Sequence, residues 1–243
     1  MKMNKIYLGD CLEIIKQLPD ESINHIITDP PYQISKPNNF HTMKTAKRQG
    51  IYFGKWDEEF NLISWIKPTI RLLDKNASMI AFCSYKNMSY LIDEMEKNGM
   101  IVKDFIQWRK SNPMPRNVNR RYIQDSEFAI WAVKEKSKWI FNKQKDIPYI
   151  RSCIQTPLVS KKEKVGHPTQ KSLKLMEEII KIHTNPKDTI LDPFMGGGTT
   201  CIACMNLDRK YIGIELDKQY FDIAKERILN QGSIRTANDK IKM

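Results

Sequence analysis

Cysteine is scarce in this chain: five in 243 residues, an odd number. With no export signal in the sequence, this count argues against a disulfide framework. The one CxxC, Cys201 and Cys204, has no second ligand pair at structural-zinc spacing, and the four histidines are scattered. Two small, buried, apolar side chains are the expected reading of that pair, and no metal is expected. Long hydrophobic runs are also missing. Mean hydropathy is −0.53, and no stretch approaches the roughly 20 apolar residues of a membrane helix. Asp10 arrives too early for a signal peptide's apolar region. A cytoplasmic protein without membrane contact is expected.

Acidic residues are missing from particular places. Lys+Arg number 40 against 28 Asp+Glu, a formal net charge of +12. Two acid-free runs hold much of the excess: Lys36, Lys44, Lys47, Arg48 and Lys55, then Arg109, Lys110, Arg116, Arg120 and Arg121. Such runs in Pro/Asn-containing loop sequence suit an anionic partner such as nucleic acid. What is abundant is alternation. Apolar, strand-like runs at 5–8, 23–28, 78–83, 101–108, 127–133, 188–193 and 210–214 are separated by helical stripes. The stripes are Cys11/Ile14/Ile15/Leu18, Met88/Leu91/Ile92/Met95, Leu173/Met176/Ile180 and Phe221/Ala224/Ile228. Repeated βαβ units predict an α/β fold with a mostly parallel sheet covered on both faces. One catalytic domain over 1–231 is expected. Segments 33–57 and 137–166 take neither pattern, and 232–243 lacks apolar periodicity and reads as a flexible tail.

Two strand ends carry chemistry. Thr189-Ile190-Leu191-Asp192-Pro193-Phe194-Met195-Gly196-Gly197-Gly198-Thr199 runs from a strand through three glycines into a helix. The spacing is not GxGxxG, and the loop has no lysine, so a pyrophosphate cradle is disfavoured. Strand 210–214 ends in Glu215, placed to accept from ribose hydroxyls. Together they read as a nucleoside site without a phosphate requirement. The second end is Ile26-Ile27-Thr28-Asp29-Pro30-Pro31-Tyr32. Two prolines stiffen the turn and remove two donors. The Asp29 carboxylate and Pro30 carbonyl are acceptors, and Tyr32 offers a π-face. Two acceptors and a stacking platform suit a planar group bearing an NH2.

At these residues the sequence resembles the S-adenosylmethionine-dependent amino-methyltransferases of DNA. Asp29-Pro30-Pro31-Tyr32 matches their catalytic tetrad, and Phe194-x-Gly196-x-Gly198-Thr199 their cofactor loop. His167-Pro168-Thr169-Gln170-Lys171-Ser172 is similar to a third element that helps hold the methionine end. The motif order is that of the circularly permuted β class, most similar to adenine-N6 enzymes of restriction–modification systems. The resemblance implies a Rossmann-like doubly wound fold and S-adenosyl-L-methionine as cofactor. It implies cofactor contacts from Asp10, Cys11, Asp29, His167, Pro168, Thr169, Gln170, Lys171, Asp192, Phe194, Gly196, Gly198, Thr199 and Glu215. Gly-Asp at 9–10 also suits a helix N-cap, and Pro168 a helix start. The implied reaction methylates N6 of an adenine flipped from a short specific site in double-stranded DNA. No Cys follows a Pro, so the nucleophile of cytosine-C5 enzymes is lacking. Lys44, Lys47, Arg48, Arg116, Asn117, Arg120 and Arg121 are the expected DNA contacts, with 33–57 as a mobile DNA-contacting loop and 137–166 as a short recognition region. A cognate restriction endonuclease and a second subunit are possible partners. Cytosine-N4 methylation, RNA methylation and a nucleic-acid-binding module with a vestigial cofactor site stay open as alternatives.

Overall fold

In a computed structural model the described residues are 2–32, 60–115, 118–160, 163–166 and 169–241, with side chains described as far as 233. The expected DNA contacts Lys44, Lys47, Arg48, Arg116 and Asn117, the 33–57 loop, and His167 and Pro168 lie outside them.

The strands are β1 (Lys5–Leu8), β2 (Ile23–Thr28), β3 (Leu73–Cys83), β4 (Met100–Lys110), β5 (Ser126–Lys134), β6 (Cys153–Thr156), β7 (Thr189–Asp192) and β8 (Lys210–Glu215). They form one sheet in the order β1-β8-β7-β2-β3-β5-β4-β6. Neighbours are parallel except at β5, which runs against both β3 and β4. The helices are α1 (Cys11–Ile14), α2 (Ile66–Ile70), α3 (Met88–Lys97), α4 (Leu173–His183), α5 (Thr199–Asn206) and α6 (Lys218–Ile241).

The period-two geometry of a strand sends successive side chains to opposite faces. Ile26 joins a core with Ile15, Trp65, Ile70, Leu91 and Met95, whereas Ile27 joins one with Phe82, Leu175, Ile179, Cys201 and Ala224. Both faces are therefore covered, as continuous apolar runs such as Ile26-Ile27 require. Each fully buried large aliphatic side chain contributes about 1.5–3 kcal/mol.

Several local expectations need correction. The Cys11–Leu18 stripe gives one helical turn and then a 3-10 turn at Ile15–Gln17; Ile15 and Leu18 are nonetheless buried. β3 begins at Leu73, because Ile23 pairs with Leu73 ahead of the apolar run. Segment 137–166 contains β6, a four-residue strand formed by pairing along the edge of β4, Gln107 with Cys153 through Lys110 with Thr156. That pairing is tertiary and leaves no local periodicity to read. α6 continues through Gly232 to Ile241 instead of leaving the helix for a tail; one glycine costs a helix only about 1 kcal/mol.

Topology fixes the site. From β7 the chain crosses to β8 on one side, and from β2 to β3 on the other, while β2 and β7 are neighbours. A crevice at the carboxyl ends of strands where direction reverses is where open α/β sheets bind ligands. Asp29 follows β2 there, and Pro193-Phe194 follows β7.

Candidate active site

The strand tips enclose a cleft of about 760 Å³ lined by both motifs, with Asp29, Pro30, Pro31 and Tyr32 on one side and Asp192 to Gly197 on the other. Thr28 Oγ1 donates to Asp192 Oδ1 at 2.7 Å, tying the ends of β2 and β7 together. The same oxygen accepts from the Phe194 amide at 3.1 Å, which turns the chain out of the strand. Burial pushes the Asp192 carboxyl up to about 6, against hydrogen bonds from Thr200 and Thr28.

The glycine loop is a backbone device. Gly196 and Gly198 have φ of 50° and 78°. A Cβ on Gly198 would meet Ala224 Cβ of α6 at 3.1 Å, so only glycine lets α5 begin there under α6. The Gly196 amide donates to Glu215 Oε2 at 2.8 Å and the Asp217 amide to Oε1 at 2.9 Å. Glu215 thus sets the loop and still lines the cleft; burial holds its carboxyl above the usual value. Asp10 caps α1 through the Leu12 amide at 2.8 Å, and it lines the cleft beside Cys11. Phe194 packs edge-on against Phe60 and Trp65, centroids 5.3 and 5.6 Å away.

On the opposite side Tyr32 OH donates to Asp29 Oδ1 at 2.5 Å, and Lys171 Nζ donates to Oδ2. The Lys171 ammonium also lies 3.2 Å from Glu127 Oε2, and Lys110 Nζ lies 2.6 Å from Glu127 Oε1. Asn87 Nδ2 holds the Tyr32 carbonyl at 2.8 Å. Burial raises the Asp29 carboxyl, opposed by the Lys171 charge. Burial likewise works against the charges of Glu127 and Lys171. Even so, Lys171 and Lys110 hold the Glu127 carboxyl below its usual range, and Asp29 and Glu127 hold the Lys171 ammonium above its own.

Of the residues expected at the cofactor, Asp10, Cys11, Asp29, Thr169, Gln170, Lys171, Asp192, Phe194, Gly196, Thr199 and Glu215 line this one cleft. Gly198 does not line it; it caps α5 immediately behind. Gln170 is engaged with its own loop, accepting from the Val165 amide and donating to the Glu163 carbonyl, both at 3.0 Å. Arg120 and Arg121 are exposed on the β4–β5 connection. Because β5 runs against β3, that connection stands at the same edge of the sheet as Asp29. Cys201 and Cys204 are buried on α5, and burial pushes both thiols up.

Phe60, Trp65 and Glu127 were missed from sequence, and Lys110 was read only as part of a basic run and not as a residue of this site. Glu127 had a signal: an acid opening the strand-like run 127–133, which an antiparallel strand presents at the ligand edge.

The lining also says what the cleft accepts. Among the described residues it holds five carboxylates (Asp10, Asp29, Asp192, Glu215 and Asp217) against two lysines, Lys171 and Lys218. That balance disfavours a polyphosphate and suits a nucleoside carrying a cation. Its volume lies within the roughly 300–1,000 Å³ of small-molecule pockets. S-adenosylmethionine, an adenosine joined to a sulfonium, fits. Glu215 would hold its ribose, Asp10 and Phe194 would flank its ring system, and the amides of the glycine loop would line its path.

Fold and site define a nucleoside-cofactor transferase of the doubly wound class. The chain belongs to the DNA methylase family, which it matches over residues 23–226. It is 35% identical to the Type II methyltransferase M2.MboI of Moraxella bovis, over 91% of this chain and 86% of that one. It is 30% identical to the Type II methyltransferase M.HinfI of Haemophilus influenzae, over 93% and 68%. Among solved structures it is similar to the M1.HpyAVI–SAM complex, with TM-score 0.76 and 49% identity over 92% and 98% of the two chains. The PvuII cytosine-N4-specific DNA methyltransferase shares the fold, with TM-score 0.69 at 20% identity over 93% and 90%. The protein is an S-adenosylmethionine-dependent, site-specific DNA methyltransferase of restriction–modification type. Among the described residues no helix is long and apolar enough to cross a membrane.

Proposed function

We propose that the enzyme methylates the N6 amine of an adenine turned out of a short specific sequence in double-stranded DNA. One observation carries the reading: Asp29, Pro30 and Tyr32 share a single cleft with the glycine loop and Glu215. An exocyclic amine is a poor nucleophile because its lone pair is delocalised into the ring. Its two N–H groups, donated to the Asp29 carboxylate and the Pro30 carbonyl, localise that lone pair at nitrogen. The bound cofactor supplies an electrophilic methyl group on sulfonium. The protein supplies alignment and a fixed field of acceptors, with no covalent nucleophile. Tyr32 stacks on the base.

Arg120 and Arg121 contact phosphates, as do Lys44, Lys47 and Arg48; Arg116 and Asn117 suit base edges. Thr169, His167 and Pro168 are assigned to the methionine-end element, Thr199 and Asp192 to the cofactor loop. Residues 1–231 serve as one catalytic domain, 33–57 as a DNA-contacting loop and 137–166 as a recognition region. This reading places the enzyme in the cytoplasm with DNA, and a restriction endonuclease and a second copy of the chain are its further partners.

Nucleoside analysis tests it. Duplex DNA incubated with methyl-labelled cofactor should yield labelled N6-methyladenine. Label in N4-methylcytosine would give the reaction to the neighbouring chemistry, and label on RNA but not duplex DNA would contradict the reading.

A further inference from the structure

Lys171 is the residue whose position the sequence motif explains least. Its side chain is only 5% exposed. Its ammonium lies on Asp29 Oδ2, 3.2 Å from Glu127 Oε2 and 3.4 Å from Tyr32 OH. The faces of Phe82 and Tyr32 close over it, with centroids 5.0 and 5.5 Å from Nζ. Glu127 is held in turn by Lys110. The four charges come from the end of β2, the segment before α4, the start of β5 and the end of β4. Two acids and two ammoniums balance, which is the condition for keeping ions in a buried place.

Asp29 therefore offers an incoming amine two oxygens, both engaged. The partners differ in what holds them. Lys171 is fixed by two carboxylates and two ring faces. The Tyr32 hydroxyl belongs to the ring that stacks on the base, so it can part from Oδ1 as that ring takes up its partner.

We propose that Lys171 is a positioning residue for methyl transfer: braced by Glu127, it fixes Asp29 Oδ2 and keeps the carboxylate charged, so that only Oδ1 is exchanged, from the Tyr32 hydroxyl to the target amine. This rests on the methyl-transfer reading above. Among the described residues, besides Lys171, Tyr32 and Glu127, the groups facing Asp29 are the Cys83 thiol at the end of β3, pushed up to about 12 by burial, and Asp192 at the end of β7. Lys171 is the cation among those neighbours.

A protonated carboxyl cannot accept at both oxygens, so transfer fails as pH falls through the Asp29 pKa. Lys171→Met removes the charge opposing burial and moves the acid limb of kcat to higher pH. Glu127→Gln removes a negative neighbour, leaves Lys171 undivided on Asp29, and moves the limb to lower pH.

The test measures kcat against pH on duplex DNA at saturating cofactor, with cofactor affinity measured separately. Lys171→Met should lower kcat at neutral pH by about 10-fold or more, and the loss should shrink toward alkaline pH as Asp29 ionises. Its cofactor affinity should stay within about 2-fold, a change too small to mark a lost charge-assisted contact. Lys171→Arg should restore most of the rate and the original limb. If Lys171→Met is too unstable to assay, Lys171→Arg and Glu127→Gln carry the test, and the Glu127→Gln limb must move to lower pH. An unmoved limb in both Lys171→Met and Glu127→Gln overturns the proposal. So does a Lys171→Met enzyme that keeps its kcat and loses cofactor affinity, which would put Lys171 on the methionine end. Native enzyme that transfers no methyl group to DNA overturns the function itself, and it does so before any variant is made.

Discussion

The two walls of the cleft are built in different ways. The cofactor wall is assembled by hydrogen bonds in which carboxylates hold backbone amides: Asp192 with Phe194, Glu215 with Gly196 and Asp217, Asp10 with Leu12. The target wall is assembled from side-chain charges brought from afar; Lys171 and Asp29 are 142 positions apart. A wall of backbone amides is rigid and shaped, which suits holding a ligand of fixed form. A wall of buried, balanced charge is poised, and a change in one member alters the ionisation of the rest.

Four variants probe that difference, in descending order of expected effect. Asp29→Ala removes the acceptor around which the target wall is built. Methyl incorporation into DNA should fall by at least about 1,000-fold, the order expected for losing a preorganised electrostatic partner in the transition state. Glu215→Ala strikes the other wall, freeing the Gly196 amide and removing the ribose acceptor. Cofactor Kd should rise roughly 10- to 100-fold, as for loss of one to two charge-assisted hydrogen bonds, with kcat at saturation much less affected. A large kcat loss at unchanged Kd would erase the contrast.

Gly213→Ala probes the support behind the cofactor loop. A Cβ there would lie 2.5 Å from Met195 Sδ and 2.8 Å from Cys201 Sγ. The overpacking should cost about 1–3 kcal/mol of stability in denaturant unfolding, and an unchanged midpoint would show that the loop yields. The smallest effect lies outside both walls. Arg120→Ala with Arg121→Ala should weaken DNA binding and lower the slope of log affinity against log salt by about 2. An unchanged slope would remove both from the interface.

The same contrast explains what could be read from sequence. The β7–glycine loop–α5 unit and the Asp29–Tyr32 turn are contiguous, so residue type and spacing alone exposed them, and the alternating pattern gave the sheet. Lys110 was not legible as a site residue, and Glu127 only as an acid opening a strand-like run, because the arrangement of β4 and β5 in the sheet is what brings both to the ligand edge. Lys171 was legible as part of a motif, but its contact with Asp29 was not, since no local rule links positions so distant. β6 escaped because only its pairing along the edge of β4 makes it a strand, and α2 because five residues carry too little periodicity. Phe60 and Trp65 gave no hint that they pack against Phe194.

The most direct test of the division between the walls is a calorimetric titration of cofactor into Asp29→Ala beside the native enzyme. The account predicts a Kd within about 2-fold of native in a variant that transfers no methyl group. A Kd that rises in step with the lost transfer would contradict it, because Asp29 would then belong to the cofactor wall.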